Sequence, residues 1–399
     1  MGTNVSAVDE CYQKALQVLK ANATEFGFKA SKERYNSIWG RDGSITSLGA
    51  SLAGDEMLID ASRKTLLTLK DLQTPLGQVP NTFYLDSRKV NFYSIDATAL
   101  WIIAVAHFWS TTRDRDLLLL CWPEVERATV WLQYQVIDSS GLVNSPPAGD
   151  WMDSSLQRWG KVLYNNLLYY KALVSANRLA AELGQRDFAP AHEVRDRINL
   201  LFWPKELVKD EWLSGWSTEF YTEVVDPGRQ HYLNYLSFES YDSRCDVAAN
   251  CLAILWDVAD AEKRERILGY MSARHLSEPF PIRVLEPPIL QPDTSWNPKI
   301  DLYRPPHWQN LPFCYHNAAI WPWVGGFYIA ALVKAGKQDL AREELEALAR
   351  ANRVGMKGEW EFNEWLHGRT GRPMGAALQS WSASGYILAY KAVTEGILP

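Results

Sequence analysis

The sequence predicts an all-α fold in which six helical hairpins close into a toroid. Apolar residues recur with helical period through twelve segments. The links between those segments alternate between short and long. Strand-like alternation is seen in one stretch, 217–239.

The segments run over about 5–24, 42–53, 57–72, 95–112, 114–137, 163–184, 187–202, 244–258, 261–273, 316–336, 338–353 and 377–394. Several open on helix-start signals: Asp42 ahead of Gly43, the pair Asp55-Glu56, and Asp114 with Asp116. An aspartate there accepts from the free N–H groups of the first turn and meets the positive end of the helix dipole. Joints such as Leu183-Gly-Gln-Arg-Asp187 and Ala335-Gly-Lys337 are so short that the flanking helices must run antiparallel. The other links, about 25–41, 74–94, 138–162, 203–243, 274–315 and 354–376, are long and rich in Pro, Gly and Trp. In a ring of hairpins this puts tight turns on one rim and elaborate loops on the other, and function is expected on the loop rim. The β-formers of 217–239 suggest a small β-hairpin there. No strict repeat, low-complexity tract or domain linker interrupts the chain, so residues 1–399 are expected to form one domain.

Composition narrows the function. The formal net charge is −6 with no long run of one sign, which argues against a nucleic-acid partner and an electrostatic membrane anchor. No run approaches 18 uninterrupted apolar residues, and Met1 to Glu10 shows no secretory pattern. Five scattered cysteines (Cys11, Cys121, Cys245, Cys251 and Cys314) with no C-x-x-C fit a reducing, cytoplasmic setting. Trp (18) equals Tyr (18) and exceeds Phe (13). Indoles suit surfaces that are apolar on one side and polar on the other, and sugars present both. A small saccharide is the partner this balance suggests.

Hydrolysis of a glycosidic bond needs two carboxyl groups, one to protonate the leaving oxygen and one to activate water or attack. In Ser145-Pro-Pro-Ala-Gly-Asp-Trp-Met-Asp-Ser154, Asp150 and Asp153 flank Trp151, whose indole lowers local polarity and raises a carboxyl pKa. Either acid fits. In 358–373, Glu359, Glu361 and Glu364 alternate with Trp360, Phe362 and Trp365 ahead of a Gly368-Arg-Thr-Gly371 turn. Tyr35-Asn-Ser-Ile-Trp-Gly-Arg-Asp-Gly43 sets Trp39, Arg41 and Asp42 at a helix start, where Asp42 can cap the helix or accept from sugar hydroxyls. In Phe313–Trp323, His316 and Asn317 stand beside Trp321. The seven histidines are scattered without H-x-x-x-H or H-E-x-x-H, so no metal is called for, and no motif asks for a cofactor.

Four of these segments resemble known families. Ile38–Gly43 looks like the W-G-R-D segment of the glucosidase domain of glycogen debranching enzymes, and Asp150–Asp153 resembles their T-W-M-D segment. Tyr315–Trp323 resembles the Y-H-N-G-x-x-W-P segment shared with alkaline/neutral invertases, with Ala318 where the relatives carry Gly. Asn363-Glu-Trp365, the Gly368–Gly371 turn and Gln379-Ser-Trp-Ser-Ala383 resemble their terminal acid–turn–Q-S/A-W-S block. Processing α-glucosidases and mannosyl- or glucosylglycerate hydrolases are more distant relatives. The resemblance spans about 35–385, with the motifs in order.

It implies an (α/α)6 barrel and an inverting hydrolase of α-glycosidic, foremost α-glucosidic, bonds, with Asp153 as general acid and Glu364 as general base. Trp39, Arg41, Asp42, Asp96, Asp150, Trp151, His316, Asn317, Trp321, Gln379 and Trp381 would line the sugar site. The short chain lacks the relatives' extra domains, which favours a small substrate. The rival readings are a sugar epimerase or lyase on the same scaffold and a non-catalytic sugar-binding protein.

Overall fold

The computed structural model describes residues 6–154, 156, 158–206, 222–238, 240–302 and 309–399. Its helices are α1 (Ala7–Asn22), α2 (Gly40–Leu52), α3 (Glu56–Asp71), α4 (Asp96–Thr112), α5 (Arg115–Gln133), α6 (Leu163–Glu182), α7 (Ala191–Phe202), α8 (Val247–Leu255), α9 (Ala261–Ala273), α10 (Pro322–Lys334), α11 (Gln338–Arg353) and α12 (Ser380–Glu395). Each lies on an expected segment, and the boundaries agree within four residues except at the start of α10.

The even-numbered helices form the inner wall. Each contacts the next, α2 to α4, α6, α8, α10 and α12, and α12 returns to α2 and closes the ring. Outside them, α1, α3, α5, α7 and α11 each pack on one or two inner helices. This is the expected (α/α)6 barrel. Burial separates the layers. Inner α4 is buried without a break from Asp96 to Ala106. Outer α3 buries only Leu58, Ala61, Ser62, Thr65, Leu66 and Leu69, one stripe at three- and four-residue spacing.

Small residues let the inner helices touch. A Cβ on Gly326 of α10 would lie 2.1 Å from the Gly385 carbonyl oxygen of α12, and one on Gly49 of α2 would lie 2.4 Å from the Ser384 carbonyl oxygen. At such contacts a larger side chain must push the ring apart.

The inner helices all begin at the loop rim, and short strands or bridges lash that rim together. Ser37–Trp39 pairs with Thr82–Tyr84 just before α2, Lys161–Val162 with Tyr235–Leu236 before α6, and Cys245–Asp246 with Leu285–Glu286 before α8. Ile320 bridges Arg283 and Leu366 before α10, and Gln379 bridges Ser31 before α12.

Two expectations are corrected. Helix α10 starts at Pro322 instead of near 316. Tyr315 and Ala318 take left-handed φ angles of 50° and 67°, and Pro322 at the first helical position turns Trp321 to extended backbone. The small β-hairpin is present but lies later than 217–239: Tyr235–Leu236 pairs antiparallel with Tyr241–Asp242, while 222–224 are helical and residues 217–221 and 239 lie outside the described set. Asp226, Pro227 and Gly228 break the run in a turn in which the Gly228 N–H donates to Asp226 Oδ1 at 2.8 Å. No described helix is long and apolar enough to cross a membrane.

The close inner crossing makes a stability prediction. Gly326→Val should cost about 2–4 kcal/mol and lower Tm by several degrees. Gly269→Ala, in α9 where a new Cβ meets nothing within 4 Å, should gain about 0.5–1 kcal/mol. Thermal melts of the two variants check both, and equal Tm values would contradict the packing account.

Candidate active site

Where the inner helices converge, a small cavity of about 60 Å³ opens at the loop rim. Each element brings its residues by position. Arg41 and Asp42 stand in the first turn of α2, and Asp96 is the first residue of α4. Trp321 is the N-cap of α10, with Trp323 in its first turn, and Trp381 lies in the first turn of α12. Helix N-termini carry partial positive charge, so acidic groups gather there at least cost.

The walls are aromatic. The Trp151 ring meets His316, Trp321 and Trp323 edge-on, with centroids 5.2, 5.4 and 5.1 Å away. Trp321 stacks on His316 at 5.3 Å, and Trp323 stacks on Trp381 at 5.3 Å. Trp39 and Tyr35 close another side, with their rings 6.4 Å apart. Among and behind these rings are buried polar atoms that make no hydrogen bond among the described residues: Nε1 of Trp151, Trp323 and Trp381, Nδ1 of His316, the Tyr164 hydroxyl, and one oxygen each of Asp42 and Asp96. Buried polar groups are almost always satisfied, so this cluster is suited to a ligand bearing many hydroxyls.

Two carboxyls face the same cavity from separate loops. The Asp153 side chain is 31% exposed and lies 3.6 Å from Arg41 Nη2. Burial pushes its pKa up to about 6, the Arg41 guanidinium pulls against this, and the negative charges of Asp96, Asp150 and Asp42 add to the rise. Glu364 is only 5% exposed. Its Oε2 accepts from the Ala376 N–H at 2.9 Å and its Oε1 from the Tyr35 hydroxyl at 3.3 Å. Burial pushes it up to about 7 despite those bonds and Arg34. A Cβ on Gly375 would sit 2.6 Å from Glu364 Oε2, so only glycine lets that turn close on the carboxylate. Asp42 is likewise pushed up to about 6 by burial. His316 is driven well below its usual range by burial and by Arg41 and Arg158, which leaves a neutral ring.

Of the residues expected from sequence, Trp39, Arg41, Asp42, Trp151, Asp153, His316, Trp321, Glu364 and Trp381 line the cavity. Asp96, Asp150, Asn317 and Gln379 do not. Asp96 lies behind Arg41 and accepts from its Nη1 at 3.2 Å. Asp150 is held by Arg158 through Nε and Nη2, both at 2.9 Å. The Asn317 side chain bonds the backbone of Ile289 and Asn310. Gln379 is the buried N-cap residue of α12. The competing glutamates are also placed. Glu361 accepts from the N–H groups of Met356, Lys357 and Gly358, and Glu359 is exposed and paired with Arg353. Sequence reasoning missed Tyr35 and Tyr315 on the wall, although both stand in the motifs it singled out. It also missed Arg158, which no motif marks.

A larger cleft of about 640 Å³ lies beside Met152, Arg158 and Trp296. Its lining carboxylate, Asp242, is engaged by Asn234 and Arg244, so the paired acids belong to the smaller cavity.

Burial of Glu364 has a cost that pH exposes. Its folded pKa is above the unfolded value of 4.5, so its contribution to stability is full below pH 4.5 and is lost as pH rises through about 7. Glu364→Gln should therefore stabilise the fold at pH 8 relative to wild type by about 1–3 kcal/mol, seen as a higher Tm, and should do little at pH 4.5. Melts at the two pH values check this, and a lower Tm at pH 8 would contradict it.

Residues 13–388 match the family model described as amylo-alpha-1,6-glucosidase. Over 168 residues the chain is 28% identical to a protein of Arabidopsis thaliana named "Probable alkaline/neutral invertase D", a stretch covering 40% of this chain and 29% of that relative. Over 167 residues it is 27% identical to cytosolic invertase 1 of Oryza sativa subsp. japonica, covering 40% of this chain and 27% of that protein. The matched stretches thus span less than a third of those relatives' length. Among solved structures, the GH63 mannosylglycerate hydrolase of Thermus thermophilus in complex with glucose aligns with a TM-score of 0.66 at 16% identity, covering 94% of this chain and 99% of that one. The GH78 rhamnosidase of Bacillus sp. GL1 aligns with a TM-score of 0.62 at 18% identity, covering 97% and 35%. These structures share the barrel. The family match takes in all twelve helices in whole or in part and every loop that builds the cavity, so the chain belongs to the amylo-alpha-1,6-glucosidase family.

Proposed function

We propose that the chain, as one catalytic domain, hydrolyses an α-glucosidic bond of a small saccharide with inversion, using Asp153 as general acid and Glu364 as general base. The observation that carries this reading is the pair of raised carboxyls on separate loops facing one aromatic cavity. Their surroundings differ, and Glu364 is pushed up further than Asp153. Asp153 feels chiefly Arg41 and the acids behind it, whereas Glu364 is held by Tyr35 and the Ala376 N–H.

In this reading the nonreducing sugar lies against Trp39, Trp151 and Trp381, with Arg41 and Asp42 at its hydroxyls. Asp153 gives its proton to the glycosidic oxygen as the bond to the anomeric carbon breaks. Glu364 takes a proton from a water whose oxygen bonds that carbon on the opposite face. The product is the inverted hemiacetal plus the freed alcohol. Each carboxyl then exchanges a proton with solvent to reset. The α-glucosidic preference draws on the family description and the invertase relatives. Proton shuffling by paired histidines is not supported, because His316 is buried among aromatics and held neutral. Five buried, unpaired cysteines support a reducing, cytoplasmic setting.

A panel of α-linked disaccharides and α-glucosides tests the class. Free hydrolysed sugar is expected, and an isomerised or unsaturated product would contradict it. Asp153→Asn should lower kcat by about 10²–10⁴-fold on the best substrate while binding is kept. Retained turnover would remove Asp153 from the acid role.

The pH profile follows from the two raised groups. Activity needs Asp153 protonated, so it falls above about 6, and Glu364 ionised, so it falls below about 7. The active form is then a minority at every pH and most abundant between the two values. A narrow bell in kcat/KM peaking between pH 6 and 7 is expected. A flat plateau from pH 5 to 8 would contradict it.

A further inference from the structure

Arg158 is 3% exposed and is not on the wall of the catalytic cavity. Its guanidinium nevertheless joins three parts of the rim. Nε and Nη2 grip both oxygens of Asp150 at 2.9 Å, and Nη1 donates to Asn234 Oδ1 at 2.9 Å and to Asp246. Asp246 is the N-cap of α8, accepting from the Ala249 N–H at 3.0 Å. Asp150 in turn accepts from the Met152 N–H at 2.8 Å, one residue before Asp153. Arg158 and Asp150 therefore bracket the acid in sequence, and both are anchored to an inner helix. Forked guanidinium–carboxylate pairs fix orientation as well as distance, and a lysine cannot reproduce the fork.

We propose that Arg158 is the positioning residue for the general acid: by clamping Asp150 against the N-terminus of α8 it holds Asp153 aimed at the leaving oxygen. The proposal rests on Asp153 being the acid. Arg158 is off the wall of the catalytic cavity and acts through Asp150, so its effect falls chiefly on proton delivery. Apart from Trp151, which shares the clamped loop, the cavity is built on other elements: Arg41 and Asp42 on α2, Trp381 on α12, and Glu364 beside Gly375.

The test uses two substrates that differ in their need for an acid. Hydrolysis of an α-glucoside with a sugar leaving group needs protonation of the leaving oxygen, whereas fluoride departs from α-glucosyl fluoride without it. In Arg158→Lys, kcat/KM on the best α-glucoside should fall about 100-fold or more, and on the fluoride less than about 5-fold, the same split as Asp153→Asn. Should Arg158→Lys not fold, Asp150→Asn, nearly isosteric and cutting the same clamp, carries the same expectation. Equal losses on both substrates would show a general structural role and overturn the proposal, as would no loss on either. Wild type failing on both substrates would refute the proposed α-glucosidase activity. A split seen for Asp153→Asn but not for the clamp variants would refute only the role of Arg158.

Discussion

At the loop rim one buried guanidinium faces three carboxyls. Arg41 lies 3.2 Å from Asp96, 3.5 Å from Asp42 and 3.6 Å from Asp153. Arg41 and Asp42 belong to α2, Asp96 to α4 and Asp153 to the loop before α6, so a single charge ties two inner helices to the proposed acid. The cluster carries more negative than positive charge and sits in low dielectric. Desolvation and mutual repulsion raise Asp42 and Asp153 into the range where a proton can be held and released near neutrality. Removing the cation would leave buried carboxylates without compensation, a change of about 3–5 kcal/mol in comparable settings.

The barrel makes that arrangement tolerable. Six inner helices begin at one rim, and their positive ends offset part of the cost of gathering acids there. Glycines such as Gly326 and Gly385 let the helices close tightly. Rigid helix starts fix Arg41, Asp42, Trp321 and Trp381, while Asp153 and Glu364 come from loops braced by Arg158 and by the Ala376 N–H. Stability thus comes from the buried ring, and the strained features, unsatisfied polar atoms and raised carboxyls, are concentrated at the site.

Much of this was legible in the sequence because it is local. Helix α3 shows its stripe and α4 its unbroken apolar run, so periodicity located both, and motifs at the loop ends located Arg41, Asp42, Trp151 and Trp381. The start of α10 was only partly legible: Pro322 marks a first helical position, but the irregular turn ahead of it does not show in the sequence. It depends on Asn317 bonding Ile289 and Asn310, partners that the fold alone brings close. The choice between Asp150 and Asp153 is of the same kind. Both flank Trp151 alike in sequence, and only the contact of Arg158 with Asp150 and Asp246 takes Asp150 away from the cavity. Glu361 and Glu364 are separated by which backbone N–H groups each meets. Tyr35 was overlooked because its importance lies in a hydrogen bond to Glu364, far along the chain.

The central claim is that two carboxyls of one cavity divide acid and base between them, with water attacking from the face opposite the leaving group. The anomer first released by wild-type enzyme tests this most directly. Proton NMR during the first minutes of hydrolysis of the best α-glucoside should show β-glucose appearing first, with the α form growing only by mutarotation. If α-glucose appears first, the stereochemistry is retained and the base role of Glu364 is wrong.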